Sequence, residues 1–387
     1  MIRRHFVLAA GGTGGHMVPA HALAAELTRR GHHVALVTDE RGARIPGLFE
    51  GMQTHVLPAG RAQGGPIGWV RAARSIWAGR AMARRLNETF LPAAVIGFGG
   101  YPALPALLAA LADRVPTAVH EQNAVLGRVN RFLAPRVDAI ATAYPVIRGL
   151  KPQHARKTHL VGNPVREVVR EIGTAPFPRL DADGPLRLLV TGGSQGATIL
   201  STVVPEGLAL LPDALRQRLQ VTHQARAEDL DRVRARYAEL GIAAQIATYL
   251  PDLPTKLAWS HLVIARAGAS TIAELTVAGR PAILVPLPSA MDDHQTANAA
   301  EMAAAGGAVA IAQGAFTAAE LARQIEPLAT DPGALAEAGA RARACGRPDA
   351  TERLADLVEG LGRTPGVTLQ PATPTTSRAA PAQGAFA

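Results

Sequence analysis

Short apolar runs alternate with longer segments of helical pattern along the first half of the chain. The runs predict strands at residues 6–10, 34–38, 94–98, 117–120 and 139–141. Because they are apolar without alternation, both faces of each strand are expected to be buried, as in a parallel sheet covered by helices on both sides. Ligands bind at the carboxyl ends of such strands. The pattern therefore predicts an α/β fold whose functional residues lie in the loops that follow the strands.

The second half of the chain repeats the organisation of the first. Its apolar runs predict strands at residues 187–191, 219–222, 244–247, 262–265 and 282–285. In each half the first strand leads into a glycine-rich turn and then a helix. The turns are Gly-Gly-Thr-Gly-Gly-His at residues 11–16 and Gly-Gly-Ser-Gln-Gly-Ala at residues 192–197. The repetition predicts two Rossmann-like domains with parallel sheets that face each other across a cleft.

Changes in composition suggest how the 387 residues are divided. We place a first domain at residues 1–162 and a second at residues 163–363, a length that suits two cores of ordinary size. Residues 173–184 are rich in Pro and Asp and are typical of a linker. Residues 364–387 contain mainly Pro, Thr, Ala, Ser and Gly with little to bury, which predicts a disordered tail.

The first glycine-rich turn is a candidate anion site. Glycines allow positive φ and a close ligand, and the first N–H groups of the following helix, predicted after Pro19, lack intrahelical partners. The turn does not end in Gly-Lys-Ser/Thr, and Met17 stands where the dinucleotide fingerprint has its third glycine. A tight turn without a ligand is the alternative. His16 adds a proton-transfer group beside the turn.

The second half carries a further helix start of the same kind. Residues 266–274 follow a predicted buried strand, with Gly268 in the turn and Glu274 farther into the helix. Two anion-ready helix starts in one domain suit a nucleoside diphosphate, with Arg166 as its cation and Glu274 as an acceptor for ribose hydroxyls. The alternative role of Glu274 is to complement the helix dipole.

Other polar motifs also follow predicted strands. His120-Glu121-Gln122-Asn123 and residues 97–101 should lie with His16 at one sheet edge, lining the same cleft. For His120 alone, a buried and hydrogen-bonded histidine is the preferred interpretation. Residues 292–298 offer polar side chains to a sugar, with a solvated loop as the alternative for the two aspartates at residues 292 and 293.

Residues 66–86 combine an apolar stripe with arginines. Trp69, Val70, Ile76 and Trp77 recur at helical spacing, and Arg80 is one of the arginines nearby. One interpretation is an ordinary helix that packs its tryptophans into the core. The other is a patch that binds an anionic bilayer through aromatic anchors and basic flanks.

Charge and cysteine content narrow the classes of function. The formal charge of +9 and pI near 10.6 favour phosphorylated substrates, acidic lipid headgroups or nucleic acid. No nucleic-acid module is recognised, so nucleic acid is not an expected partner. The single Cys345 excludes a disulfide framework, and neither a metal nor another cofactor is expected. The basic N-terminus is expected to lead into a strand instead of a signal peptide, and no apolar run approaches the ~18 residues of a membrane span.

The motifs together resemble one family. They occur in order over roughly residues 5–360, in both halves of the chain, and are the segments at residues 11–16, 99–101, 120–123, 162–166, 192–197 and 266–274. This set resembles the MurG family, the bacterial peptidoglycan glycosyltransferases. These enzymes add N-acetylglucosamine to lipid I, the lipid-linked muramyl-pentapeptide, and so make lipid II.

The resemblance implies a GT-B fold with the acceptor on the first domain, UDP-N-acetylglucosamine (UDP-GlcNAc) on the second, and a late helix that crosses back. It also implies an inverting, metal-independent transfer to the muramyl 4-hydroxyl. His16 is the candidate base, with Glu121 second. The substrate-binding residues that it implies are Thr13, Gly14, Gly15, Tyr101, Asn123, Arg166, Ser194, Gln195, Leu250, Ala269, Ser270, Thr271, Ile272, Ala273, Glu274 and Gln295. Among them, Ser194 and Gln195 would meet the diphosphate, and the Leu250 backbone the uracil.

A lipid-anchored acceptor favours the membrane interpretation of the patch formed by Trp69, Val70, Ile76, Trp77 and Arg80. The implied location is the cytoplasmic face of the inner membrane, as a peripheral protein whose partners include cell-wall synthesis or division proteins. Two other functions fit the same motifs. One is a non-hydrolysing UDP-GlcNAc epimerase-like enzyme of the same fold, and the other is a non-catalytic nucleotide-binding module.

Overall fold

The computed structural model describes residues 3–12, 14–45, 49, 51–58, 60, 65–181, 183–193 and 196–362. Over these residues the chain forms two parallel sheets, one of seven strands from the first half and one of six strands from the second. The α/β fold with two Rossmann-like sheets is therefore confirmed. The predicted tail at residues 364–387 lies outside the described residues, and the domain boundary between residues 162 and 163 stays a prediction.

The first sheet has the strand order β3-β2-β1-β4-β5-β6-β7, and its described pairings are parallel. Its strands are β1 (His5–Ala9), β2 (His33–Thr38), β3 (Gln53–Val56), β4 (Ala94–Gly97), β5 (Thr117–Glu121), β6 (Ala139–Thr142) and β7 (Thr158–Leu160). Alternate residues enter two hydrophobic clusters, with Phe6 and Leu8 in one and Val7 and Ala9 in the other. The sheet is buried on both faces, as continuous apolar runs predict.

The second sheet has the order β10-β9-β8-β11-β12-β13. Its strands are β8 (Leu186–Thr191), β9 (Leu219–Gln224), β10 (Ala243–Ala247), β11 (Leu262–Ala265), β12 (Ala282–Leu284) and β13 (Ala308–Ala310). Leu188 and Val190 pack on one face and Leu189 on the other. In both sheets the strand order reverses beside the first strand, between β1 and β4 and between β8 and β11. Such reversals open a crevice at the carboxyl edge, and each glycine-rich turn lies at one.

Helices connect the strands. They are α1 (Gly14–Arg29), α2 (Glu40–Ala43), α3 (Gly65–Phe90), α4 (Ala103–Ala112), α5 (Arg128–Leu133), α6 (Glu167–Thr174), α7 (Thr198–Ala209), α8 (Asp213–Arg216), α9 (Leu230–Glu239), α10 (Leu253–Trp259), α11 (Ala269–Ala278), α12 (His294–Ala304), α13 (Ala318–Thr330), α14 (Pro332–Ala344) and α15 (Ala350–Leu361). No helix in the described part of the chain is long and apolar enough to cross a membrane.

The start of α1 corrects the sequence prediction. The helix was expected after Pro19, but it begins at Gly14 and carries the proline inside it. Pro19 removes one backbone donor, and the helix continues because Leu23 and Leu27 are buried against the first sheet. Tertiary packing therefore outweighs the local effect of the proline. As a result His16 belongs to the first turn of a helix instead of to the glycine turn itself.

Three strands were not predicted: β3, β7 and β13. Each lies at the edge of its sheet and has partly exposed side chains. β3 and β7 contain polar residues and leave no continuous apolar run in the sequence, and β13 is apolar but has only three residues. The remaining edge strand, β10, was predicted at residues 244–247.

The last helix returns to the first sheet. Leu354, Leu357 and Val358 of α15 belong to the hydrophobic cluster that contains β1. Polar contacts fix the same helix: Arg30 pairs with Asp356 and Glu359 at its C-terminal half, at 2.6 Å and 3.1 Å. The first core therefore contains residues that precede the second sheet in the sequence and residues that follow it.

Candidate active site

A cleft of about 510 Å³ opens at the carboxyl edge of the first sheet. His16, Tyr101, Glu121 and Asn123 line it, so the structure brings these four predicted residues together. The opposite wall comes from the second half of the chain and includes Met291, Asp292 and His294. The predicted cleft between the two domains is thus present, with the candidate bases inside it.

His16 is held by the backbone around it. Its Nδ1 lies 3.1 Å from the Gly11 carbonyl oxygen. Because a carbonyl only accepts hydrogen bonds, Nδ1 carries the ring proton and Nε2 presents a lone pair. The ring packs against Gly99 and Gly100, both at positive φ, where an added Cβ would lie 3.4 Å from its ring atoms. Glycine at these positions leaves room for the imidazole.

The electrostatic surroundings of His16 favour its neutral form. Burial lowers the pKa of the His16 imidazole, and His294 across the cleft lowers it further. The hydrogen bond to Gly11 and the charge of Asp39 act in the opposite direction and only partly offset burial. Neutral imidazole with a free Nε2 is the form that accepts a proton.

Glu121 lies deeper and is already saturated with donors. Its side chain is buried, and burial raises the pKa of its carboxyl group. One oxygen accepts from the Asn123 N–H at 3.1 Å, and the other accepts from the Gly127 N–H at 2.8 Å and from Asn130 Nδ2 at 2.9 Å. These contacts tie the loop after β5 into one shape. The geometry favours a positioning role for Glu121 over that of the base.

His120 is a buried core histidine, as preferred from the sequence. It is fully buried, and its Nε2 lies 2.9 Å from the Gly162 carbonyl oxygen. Burial lowers the pKa of His120 to about 4. Gln122 Nε2 lies 3.0 Å from its Nδ1 and also donates to the Phe98 carbonyl. The pair therefore links the loop after β4 with the segment that leaves the first sheet.

The loop after β2 supplies two residues that sequence reasoning missed. Asp39 Oδ1 accepts from the Gly12 N–H at 3.0 Å and from the Gly42 N–H at 2.9 Å. One N–H of the glycine turn is therefore not available to a ligand. Arg41 forms an ion pair with Asp39, with Arg41 Nη2 3.2 Å from Asp39 Oδ2, and Arg41 also lines the cleft. Gly14 and Gly15 form the first turn of α1, and Thr13 lies outside the described residues.

On the donor side, α11 begins as predicted. Gly268 is its N-cap and Ala269 its first residue. Ser270 and Thr271 follow in the first turn, and the buried Ser270 hydroxyl oxygen has no hydrogen-bond partner among the residues that the structure describes. α11 contacts α1 across the two halves of the chain. The two helix starts therefore lie near the same interface.

Glu274 and Arg166 form an ion pair. Arg166 Nη2 lies 2.8 Å and Nε 3.1 Å from Glu274 Oε1. Burial raises the pKa of the Glu274 carboxyl, and Arg166 partly offsets this rise. The two residues had been predicted to contact ribose and diphosphate separately. In the structure the two residues pair with each other. Glu274 Oε1 accepts both hydrogen bonds from Arg166.

The other residues predicted to bind UDP-GlcNAc lie in different environments. The side chains of Leu250 and Ile272 belong to the core of the second half, and that of Ala269 is buried. Ala269, Ile272 and Ala273 border a separate cavity of about 30 Å³ instead of the large cleft. Gln295 Oε1 accepts from the N–H groups of Ala267 and Leu287, at 3.2 Å and 2.9 Å. Its amide nitrogen is therefore the group left to meet a sugar. Ser194 and Gln195 lie outside the described residues.

Gln224, at the end of β9, was also missed. Its Nε2 donates to the Gly193 carbonyl at 3.0 Å and to the Thr248 carbonyl at 3.3 Å, and its Oε1 accepts from Thr191 at 2.7 Å. The buried amide thus joins the second glycine turn to the loop that leads to Leu250. These are the two segments expected to meet the diphosphate and the uracil.

Asn298 bridges the two halves. Its Oδ1 accepts from the Ala124 N–H at 2.8 Å, and its Nδ2 donates to Asn123 Oδ1 at 3.1 Å and to the Ala267 carbonyl at 3.2 Å. Asn298 is fully buried. Its polar position within residues 292–298 was noted in the sequence, but its partners are 31 to 175 residues away and leave no local signal.

The predicted membrane patch lies on α3. Trp69 and Trp77 are 66% and 71% exposed, so the alternative that they fill the core is wrong. Val70 is exposed, Ile76 is half-buried, and the Arg80 guanidinium lies 5.7 Å from the centre of the Trp77 ring. In the described part of the chain, no group of three or more His, Cys, Asp or Glu residues is arranged to hold a metal ion.

Comparisons with known proteins agree over both halves. The family model for the glycosyltransferase family 28 N-terminal domain matches residues 6–142, and the model for the C-terminal domain of that family matches residues 187–355. Together they span most of the chain.

Two relatives are UDP-N-acetylglucosamine–N-acetylmuramyl-(pentapeptide) pyrophosphoryl-undecaprenol N-acetylglucosamine transferases. The protein from Zymomonas mobilis subsp. mobilis is 64% identical over 359 residues, 93% of each chain. That from Novosphingobium aromaticivorans is 63% identical over 364 residues, 94% of each chain. The crystal structure of Acinetobacter baumannii MurG is 30% identical, with a TM-score of 0.73 over 92% of this chain and 99% of that one. The chain therefore belongs to the MurG family of N-acetylglucosaminyltransferases, within glycosyltransferase family 28.

Proposed function

We propose that this protein transfers N-acetylglucosamine from UDP-GlcNAc to the muramyl 4-hydroxyl of undecaprenyl-pyrophosphoryl-N-acetylmuramyl-pentapeptide, lipid I, and so makes lipid II. The observation that carries the proposal is the position of His16 in the cleft between the two sheets, where Nδ1 contacts the Gly11 carbonyl and Nε2 is the ring nitrogen that accepts a proton. The high identity to named transferases supports this function over an epimerase-like enzyme or a nucleotide-binding module.

The transfer needs a base for the attacking hydroxyl. The acceptor oxygen bonds to the anomeric carbon of N-acetylglucosamine while the bond from that carbon to the UDP phosphate oxygen breaks. The hydroxyl proton goes to His16 Nε2, and attack from the face opposite the leaving UDP inverts the anomeric centre. Glu121 and Asn123 hold the loop beside the sugar through their mutual hydrogen bonds.

The donor lies against the start of α11 and the second glycine turn. The unpaired N–H groups of the first turn of α11, from Ala269 onward, stabilise negative charge that develops on the leaving diphosphate. Arg166 brings a positive charge to the same region, and Glu274 accepts from the ribose hydroxyls through the oxygen that Arg166 does not occupy. Gln295 donates from its amide nitrogen to the transferred sugar.

The acceptor is lipid-anchored, so the protein must work at a membrane surface. The exposed tryptophans of α3, with Arg80 and the neighbouring arginines, form an apolar and basic face that suits an anionic bilayer. UDP-GlcNAc and the pentapeptide acceptor are the substrates, and the working site is the cytoplasmic face of the inner membrane. Proteins of cell-wall synthesis and division are the partners expected at that site.

The test is transfer of labelled N-acetylglucosamine from UDP-GlcNAc to a lipid I analogue. We expect label in the disaccharide product with inverted anomeric configuration, and UDP released in equal amount. Label that remains in soluble sugar nucleotide would indicate epimerisation. UDP binding without product would indicate a binding module.

A further inference from the structure

A second cavity continues the cleft on the side away from the first glycine turn. It measures about 410 Å³ and is lined by Val125, Arg131, Arg148, Gly149 and Asp292. Val125 and Asp292 also line the large cleft, so the two spaces adjoin. We name this space the arginine pocket. None of its residues was predicted to bind a substrate, apart from Asp292 as a member of the polar segment 292–298.

Two guanidinium groups give the arginine pocket its charge. Arg131 Nη2 donates to the Leu126 carbonyl at 2.9 Å and lies 3.4 Å from Asp292 Oδ2. Arg148 Nη2 donates to the backbone oxygen of Asp292. Asp292 is the single carboxylate among the residues that line the pocket. The pocket therefore has an excess of positive charge and offers planar donors that fit a carboxylate.

Asp292 occupies an unusual backbone conformation. It and Asp293 have φ of 54° and 53°, in the left-handed region that few residues other than glycine adopt. The Asp292 carboxylate faces Arg131, and the Asp292 backbone oxygen accepts a hydrogen bond from Arg148. The Asp292 carboxylate therefore takes the place of an external anion beside Arg131.

The strand order sets where this pocket lies relative to His16. Loops at the carboxyl edge follow the order β2, β1, β4, β5, β6, which places Arg41 first, then His16, then Glu121 and finally Arg148. Three strand spacings separate the loop after β1 from the loop after β6, about 14 Å. A pentapeptide in extended form reaches up to about 17 Å. A peptide that starts at a sugar beside His16 can therefore reach the pocket.

We infer that the arginine pocket binds carboxylates of the peptide carried by the acceptor. The inference rests on the proposed function, because only a muramyl-peptide acceptor brings a peptide to this cleft. The other anion of the acceptor, its diphosphate, belongs at the opposite end, near Arg41 and the first glycine turn. That end lies toward β3, from which the chain enters α3 and its exposed tryptophans. The lipid and the peptide thus leave the sugar in opposite directions along the sheet edge.

The test compares two lipid I analogues, one with free peptide carboxylates and one with all of them converted to carboxamides. For the unaltered protein we expect KM for the carboxamide acceptor to be about tenfold higher. In Arg148→Gln the ratio of the two KM values should fall close to one, and Arg148→Lys should restore part of it. Asp292→Asn, which keeps a residue tolerated at positive φ, should lower KM for the carboxylate acceptor.

Arg136→Gln is the matched control, because it removes the same charge from an exposed arginine just after α5 that contacts Phe132. It should leave the KM ratio near tenfold. The proposal is overturned if the unaltered protein does not distinguish the two acceptors, or if Arg148→Gln raises both KM values equally, as a diphosphate contact would. The same comparison can be made from the dissociation constants of the two acceptors, measured without UDP-GlcNAc. If the protein distinguished the acceptors in this way but transferred no sugar, the result would count against the proposed function and not against the arginine pocket.

Discussion

His16 Nδ1 donates to the carbonyl oxygen of Gly11 at 3.1 Å, so the imidazole is oriented by the turn that leads into its own helix. This contact assigns the ring proton to Nδ1 and leaves Nε2 as the only acceptor on the ring. The packing of the ring against Gly99 and Gly100 limits its rotation. A base is thus fixed in tautomer and direction before any substrate arrives.

The first prediction concerns His16→Ala. Loss of the base should lower kcat by about 100-fold to 10,000-fold, with little change in KM for UDP-GlcNAc. In the unaltered protein, burial lowers the pKa of His16, so the neutral form persists below pH 6.5. The acid limb of the kcat/KM profile should therefore fall below that pH and disappear in the variant. Turnover near the unaltered rate would remove His16 from the mechanism.

The second prediction separates Glu121 from His16. Glu121→Gln replaces one acceptor oxygen by a donor that faces backbone N–H groups or the Asn130 amide, and should lower the free energy of unfolding by about 1–3 kcal/mol. The acid limb should stay at the same pH, because His16 still supplies it. Urea unfolding and a pH profile of the surviving activity measure the two effects. A vanished acid limb with unchanged stability would instead make Glu121 the base.

The third prediction concerns Gln224, which joins Gly193 to Thr248. Gln224→Glu keeps the size of the side chain but removes both donated hydrogen bonds. We expect KM for UDP-GlcNAc to rise about tenfold, with KM for the acceptor unchanged. Gln220→Glu is the control, because Gln220 lies exposed on the same strand. Equal rises in both KM values would mean a general loss of structure.

The fourth prediction concerns the membrane patch. Trp69→Ser combined with Trp77→Ser should weaken binding to vesicles with anionic lipids by about tenfold or more, because two exposed rings no longer enter the interface. Activity on a short-chain soluble acceptor should remain. Leu210→Ser, at an exposed leucine of the second half, is the control. If vesicle binding and activity on the soluble acceptor fell together, the tryptophans would be needed for the fold and not for membrane binding.

The fifth prediction concerns pH and stability. His223 is fully buried beside Tyr237, and burial lowers its pKa to about 3. In the unfolded protein His223 has a pKa near 6.5 and binds a proton below that pH, whereas in the folded protein it stays neutral. The free energy of unfolding therefore falls as pH decreases below about 6.5. Between pH 7 and pH 5 this histidine should contribute about 2 kcal/mol to the loss.

Urea unfolding at the two pH values tests this contribution. His223→Gln should lose about 2 kcal/mol less than the unaltered protein over the same interval. His33→Gln, at an exposed histidine of the first sheet, should lose as much as the unaltered protein. Equal losses in all three proteins would contradict the prediction.

The sequence predicted the central strands well because each buries a continuous apolar run. It missed the short edge strands β3, β7 and β13 but predicted the edge strand β10. It predicted that His16, Glu121 and Asn123 share one cleft, since the loops after parallel strands share one edge, but it missed Arg41. It did not predict the pairing of Arg166 with Glu274, the bridge formed by Asn298 or the amide of Gln224. These contacts join residues that are 24 to 175 positions apart, and polar partners at such distances leave no periodic pattern.

The return of α15 to the first sheet affects how the chain folds during synthesis. The cluster that contains Phe6 and Leu8 also needs Leu354 and Val358. The first core therefore stays incomplete until almost all of the described chain has left the ribosome. The apolar face of the first sheet stays exposed while the second sheet folds, so the nascent chain is prone to aggregation. Completion of the first core is a late step that joins residues far apart in the sequence.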